Sequence, residues 1–351
     1  MESRSNKLLQ IENINKIILF GGSSLLAAAC KNFKEIGLKT LVYTSPRHAQ
    51  EIIGINGEKL SEALDKMSVC YFISEDINLE QGLLKEIDQN TLGLGLGEAW
   101  SFNKKIIDLF DGRLMDFMSI PLPRYRGGAH YTWAILRDER NWGCNIQVIN
   151  EDMVQGEFDS GEIVKSREYV FPKNCRIPQD FFDYAEKQDM DFVLEFISEI
   201  SLGKTFELKE IKEEESLYFP RLNTIQHGWI DWSWSGEEIE RFICAFDCPY
   251  AGAGTTLNNS QVRLKGAYME SDEDVFHPFQ NGLITRINKD GSIMIATTNG
   301  HLKIDEIFDE TGVLINNKLK TGMRFYTPQE KIQSAMTFQA EYGVWGLKNA
   351  K

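Results

Sequence analysis

A strand, a glycine-rich turn, a helix and a second strand follow one another between Lys16 and Tyr43, and few architectures accommodate that order. Lys16 to Phe20 (Lys-Ile-Ile-Leu-Phe) is an apolar run short enough for a buried strand. Gly21-Gly22-Ser23-Ser24 follows, then an Ala/Leu-rich helix to about Ile36, closed by Gly37, and a second strand over Thr40 to Tyr43. Two parallel strands joined by a helix start a doubly wound, mostly parallel α/β sheet, because such a crossover needs the helix on one face. The turn has no GxGxxG and no acid directly after the second strand, which argues against a dinucleotide. Its amides at a helix start can face an anionic group or merely make a tight turn. Further helices are expected over Leu60–Lys66, Asn78–Asp88 and Lys104–Phe110, and strands over Val69–Ile73 and Thr91–Leu96.

The stretch from Asp111 to Ile163 carries the chemistry-bearing residues. Leu114 to Ser119 reads as a strand that spills into Pro121-Leu122-Pro123-Arg124-Tyr125-Arg126-Gly127-Gly128, where the prolines fix φ and remove donors. Ala129 to Arg137 reads as a helix and Cys144 to Ile149 as a strand. A polar loop then reaches Asp159-Ser160-Gly161-Glu162-Ile163. A strand end, a rigid loop and a second acidic loop are a scaffold on which reactive groups can converge. Arg47, in Ser45-Pro46-Arg47-His48 after the second strand, lies on the side of the sheet where such proteins bind ligands and suits a phosphate or a carboxylate, the other reading being an exposed loop arginine.

Farther on, Pro178 to about Leu202 is amphipathic, with Phe181, Phe182, Met190, Phe192, Val193 and Phe196 on its apolar side. The charged run Lys209 to Ser216 reads as a linker. From Leu217 the texture changes to a helix over Glu237–Phe246 and five short strands, Gly254–Leu257, Gln261–Tyr268, Gly282–Ile287, Ser292–Thr297 and Leu302–Ile307. Turn signals such as Asn258-Asn259 and Lys289-Asp290-Gly291 separate them, which suggests a small β-barrel-like domain. The expected division is an extension over 1–15, an α/β domain over 16–205, a linker over 206–226, a β domain over 227–330 and a tail over 331–351.

With 351 residues, 42% of them hydrophobic, the chain can bury a large core. Its net charge of −14 argues against a nucleic-acid partner held through many phosphates. Six scattered cysteines without a CxxC pair, no apolar run of membrane-spanning length and no secretory segment point to a reduced, cytoplasmic setting without a membrane or metal partner.

Pro121 to Gly128, Trp133-Ala134-Ile135 and Asp159 to Ile163, followed by Gly228-Trp229-Ile230-Asp231-Trp232-Ser233 and Pro249-Tyr250-Ala251-Gly252-Ala253, resemble the formyltetrahydrofolate-dependent formyltransferases. The resemblance covers roughly residues 16 to 310 and is closest in character to the sugar N-formyltransferases. It implies a Rossmann-like catalytic core with a small C-terminal β domain, and 10-formyltetrahydrofolate as formyl donor. It also implies a primary amine acceptor on an amino sugar, nucleotide-linked. Methionyl-tRNA, another acyl or one-carbon transfer, and a silent folate- or sugar-nucleotide-binding protein are the alternatives; a homodimer through the β domain is the assembly considered. In that family an Asn-x-His pair precedes the LPxYRG loop and an Asp sits in the DxGxI loop. Here Asp116 and Met118 stand where Asn and His are expected, and Asp159 matches the Asp.

On that resemblance the folate is expected against Trp100, Leu122, Pro123, Gly156 and Asp159, and the acceptor against Gly21, Gly22, Ser23, Arg47 and Arg126. Formyl transfer needs a base for the attacking amine and donors for an oxyanion. Met118 can donate nothing and would pack against a ring. Asp116 and Asp159 are expected to share a proton, with Asp159 the base. His130 is the imidazole that could replace the missing one. Trp133 is expected in the core.

Overall fold

The computed structural model describes residues 7–53, 56–151, 159–270 and 276–348. Seven strands form the first sheet: β1 (Lys16–Gly21), β2 (Lys39–Thr44), β3 (Cys70–Ile73), β4 (Thr91–Leu96), β5 (Leu114–Met118), β6 (Asn141–Val148) and β7 (Ile163–Val170). Their order is β3-β2-β1-β4-β5-β6-β7, parallel from β3 to β5 and antiparallel beyond. β1 and β4 are buried along their whole length, because helices cover both faces, and this is why they read as unbroken apolar runs.

α1 (Ser23–Glu35) and the long Pro178–Ser201 helix pack on one face, where Leu26, Phe33, Phe192, Val193 and Phe196 meet Ile17, Leu19 and Leu94. Ile18, Phe20, Phe102, Ile106 and Phe110 fill the other face. Phe182 leaves the expected stripe: it is 40% exposed and touches Tyr131 edge-on instead. The expected helix over Asn78–Asp88 is divided at Glu80 into a short 3₁₀ turn over Ile77–Leu79 and an α-helix over Gln81–Glu86. Asp76 caps the first turn by accepting from the Asn78 N–H. β7 was not among the expected strands, although its residues alternate in burial from Lys165 onward.

The second sheet is antiparallel and curled into a half-barrel. It comprises β8 (Ala253–Leu257), β9 (Ser260–Glu270), β10 (Ile284–Ile287), β11 (Ile293–Thr297), β12 (Gly300–Asp309) and β13 (Phe325–Tyr326), ordered β10-β11-β12-β9-β8-β13. The helix over Gly236–Ala245 starts with a Ser235–Glu238 capping box and packs its Ile239, Phe242 and Ile243 into this sheet. The apolar cluster is continuous across both domains, from Ile120, Tyr125 and Trp142 to Ile243, Phe246 and Ile304. Arg176 ties the same boundary, donating to the Ala267 carbonyl at 2.8 Å and lying 3.9 Å over the Tyr268 ring.

Three stretches outside these sheets also pair. Leu8–Gln10 runs antiparallel to Thr205–Glu207, and Tyr218–Phe219, in the stretch read as a linker, runs parallel to Arg126–Gly127. Beyond residue 328 the chain forms a helix over Gln329–Thr337 and a hairpin pairing Tyr342–Gly343 with Gly346–Leu347.

Candidate active site

The C-terminal ends of β1, β4 and β5 open on one cleft of about 1710 Å³. Single-ligand sites run to roughly 300–1,000 Å³, so the cleft has room for two substrates side by side. Its floor comes from β4, β5 and the turn after β4. One wall is Arg126–His130 with Asp159 and Ser160. The opposite rim is Gly22, Ser23, Arg47 and His48, and the hairpin around Tyr342 closes that side.

The floor holds two carboxyls. Asp116 lies in the middle of the sheet, 3% exposed, and its Oδ2 accepts from Gln147 Nε2 at 3.0 Å. The same Gln147 accepts from the Gly161 N–H at 3.1 Å and so ties Asp116 to the loop that carries Asp159. Asp116 Oδ1 and Glu98 Oε2 are both sealed from solvent and receive no hydrogen bond from an N–H or hydroxyl group. They sit together over Gly95, where any Cβ would run into the Glu98 carboxyl. One proton between them satisfies both oxygens. Burial, then the Asp116 charge, holds the Glu98 carboxyl well above the usual range. Burial, then the charge of Asp159, pushes Asp116 up to about 7.

The expected proton sharing between Asp116 and Asp159 is thus corrected. The oxygen that Asp116 faces is Glu98 Oε2 rather than one of Asp159, which acts on it through charge. Glu98 was missed because a single Glu after an apolar strand has no motif. The signal available was the glycine spacing of Gly93-Leu-Gly95-Leu-Gly97-Glu98, which clears space above the strand.

Asp159 stands at a left-handed position, φ +57°, 8% exposed, with Oδ2 accepting from the Gly127 N–H at 3.3 Å. Burial raises its pKa, while the Gly127 amide and the Arg126 and Arg221 charges pull the other way. Gly127 is itself required: φ is +107°, and a Cβ would strike the Phe219 carbonyl of the paired strand. His130 opens the helix His130–Leu136 and lines the same wall. Its Nε2 is buried and unpartnered. Burial and the Arg221 charge hold its pKa down at about 4, so the imidazole is neutral at physiological pH.

Asp116, Met118, His130 and Asp159 therefore converge, and Trp100 lies on the same cleft, its Nε1 donating to the Glu75 carbonyl. Leu122 and Pro123 do not line it. The turn Pro121–Arg124 folds inward, Leu122 is buried in the core, and the Pro123 carbonyl accepts from the Leu217 N–H. Gly156 lies outside the described residues. Trp133 is partly buried against the inter-domain core and donates to the Pro220 carbonyl.

The turn at Gly21–Ser23 reaches the rim by a different logic from the one expected. Gly22 N–H is spent on the Leu96 carbonyl at 3.2 Å, and Gly21, at φ +127°, permits the close approach to Leu96. Ser23 N–H serves the Glu51 carboxyl. With an acid already at the helix start, that terminus is a poor anion site. Cations nearby can take that part: Arg47, whose Nη2 meets His48 Nε2 at 2.8 Å, and Arg221, which sequence reasoning did not single out. Arg126 lines the cleft but is paired with Glu213 at 2.6 Å. The hairpin is seated by Arg47 N–H donating to the Val344 carbonyl at 3.0 Å and by Tyr342 against Leu222 and Asn223.

Residues 224–318 match the family described as formyl transferase, C-terminal domain. The methionyl-tRNA formyltransferase of Desulfotalea psychrophila is 27% identical over 210 residues, 59% of this chain and 60% of that protein. The chain spans about 60% of the length of several curated relatives that it matches. A crystal structure of WlaRD, a sugar 3N-formyl transferase in the presence of dTDP and 5-N-formyl-THF, superposes with a TM-score of 0.58 at 15% identity, covering 84% of this chain and 97% of that one. HypX from Aquifex aeolicus, in complex with tetrahydrofolic acid, gives a TM-score of 0.56 at 17% identity over 93% of this chain and 48% of its own. At these identities the two structures share the fold.

Proposed function

We propose that this chain, which belongs to the formyltransferase family, carries a formyl group from 10-formyltetrahydrofolate to the primary amine of a nucleotide-linked amino sugar. The observation that carries the reading is one cleft that gathers an acidic floor, a neutral imidazole and the cations Arg47 and Arg221. The buried Nε2 of His130 has no partner in the fold, which fits a ligand carrying an N–H group, such as a folate amide or an amine acceptor. Trp100, Met118, Asp159 and Ser160 border the folate side. Arg47 and Arg221 stand where an acceptor's diphosphate would be neutralised.

Asp159 is the base in this reading. Burial raises its pKa while the Gly127 amide and the arginines pull the other way, and in its carboxylate form it takes the proton as the amine adds to the formyl carbon. His130 accepts a hydrogen bond at Nε2 from the amine and orients its lone pair. Asp159 then returns the proton to the folate nitrogen as the bond to it breaks.

The test is incubation with 10-formyltetrahydrofolate and a panel of nucleotide-linked amino sugars, read by product mass. Formylated sugar is the expected result; folate binding with no turnover on any amine would make the chain a binding protein. Methionyl-tRNA belongs in the same panel, because the sequence relatives named above are methionyl-tRNA formyltransferases. The net charge of −14 favours the sugar over the nucleic acid.

A further inference from the structure

Two carboxyls meet at the cleft floor and a third, Asp159, acts on them from the wall; among the described residues no cation acts on the floor pair. The groups facing Asp116 are Gln147 from β6, Gly95 from β4, Glu98 from the turn after β4, and Asp159 across the cleft. The nearby arginines are otherwise placed: Arg126 pairs with Glu213, and the influence of Arg126 and Arg221 falls on Asp159. His130 is neutral. Protons are therefore what balances the charge here. The first bridges Glu98 Oε2 and Asp116 Oδ1, since neither oxygen has another donor. A second proton converts the pair from one that only accepts into one that can also donate toward the cleft.

We propose that Glu98 and Asp116 work as a proton-holding pair, in which Asp116, when the pair carries its second proton, donates a hydrogen bond to the formyl oxygen. Glu98 is the positioning residue, acting through Asp116. The inference rests on the formyl-transfer reading above. In the step it serves, the amine lone pair forms the new N–C bond and the carbonyl π pair moves onto oxygen. That oxygen accepts the Asp116 O–H, and Asp159 takes the amine proton. On collapse the C=O bond re-forms, the C–N bond to the folate breaks, and the Asp159 proton goes to the departing nitrogen. Asp116 ends as it began. The tuning of Asp116 to about 7 puts the change from donor to acceptor inside the physiological range.

The experiment compares binding of 10-formyl-5,8-dideazafolate with that of 5,8-dideazafolate between pH 6 and pH 8, on the full chain. The formyl preference is expected to be about tenfold greater at pH 6 than at pH 8, the value of one well-placed hydrogen bond. Asp116→Asn, whose amide N–H donates at every pH, should make the preference independent of pH. Glu98→Met removes the bridging donor and should move the midpoint upward, while Glu98→Gln, which keeps an N–H in place, should hold it near the wild-type value. A wild-type preference that does not change with pH, or one still pH-dependent in Asp116→Asn, overturns the proposal. If neither analogue binds, the formyl-transfer reading falls and takes this inference with it. If both bind with a constant preference, only the role of the pair is lost.

Discussion

Asp159 and His130 face the same space from neighbouring elements, but their ionisation differs. Asp159→Asn removes the proton acceptor and leaves its Gly127 contact nearly isosteric, so turnover with a working acceptor should fall by about 100-fold or more while folate binding persists. Stopped assays alongside folate titration check both halves. His130→Gln should lower the rate about tenfold or more. Because burial and Arg221 hold the imidazole at about 4, it gains a proton only as pH falls toward that value. Its neutral form, and any contribution it makes, is therefore constant from about pH 5 upward. A rate profile of wild type against His130→Gln should run parallel above pH 5, and a divergence centred near pH 6.5 would count against the assignment. Asp159 and His130 were legible in the sequence because each sits beside a loop motif with a fixed spacing. Glu98 and Arg221 were not, since what makes them matter is which distant strand end they fold against.

Elements written as local patterns were read closely. The first strand–helix–strand unit and the β-domain strands follow from period and turn chemistry, and they emerge within a few residues of expectation. What local patterning could not reveal is pairing over long range. Tyr218–Phe219 joins Arg126–Gly127, and the hairpin beyond Phe338 returns to Arg47, because contacts roughly ninety and three hundred residues away in the chain complete them. Gly127→Ala tests the first of these. Forcing a Cβ into the Phe219 carbonyl at a left-handed φ should cost about 2 kcal/mol or more, seen as a lower midpoint in urea. The hairpin is held by few bonds, so Tyr342→Ala should unseat it. Limited proteolysis between residues 340 and 348 should then quicken severalfold, with the sheets still protected.

The described residues of the molecule form three apolar clusters, two on the faces of the first sheet and one that runs from the edge of that sheet into the second. Trp142 and Tyr125 of the first domain belong to the same cluster as Ile243 and Ile304 of the second, and Arg176 crosses the boundary. Unfolding should accordingly be a single transition, with far-ultraviolet dichroism and tryptophan fluorescence superimposing in denaturant. Arg176→Ala should lower stability by about 1–3 kcal/mol through the loss of its charged donor and its stacking on Tyr268. Two separated transitions in the wild type would show that the shared interior is weaker than its extent implies.

The cleft is assembled from widely spaced stretches: the turn after β4, the loop at Gly127, the strand at Tyr218 and the hairpin at Tyr342. A chain growing on a ribosome acquires the two floor carboxyls more than two hundred residues before it acquires the hairpin. The nascent protein thus possesses the floor of the cleft early and the hairpin that borders it late. Emergence of the segment around Tyr342 becomes the event that completes the site.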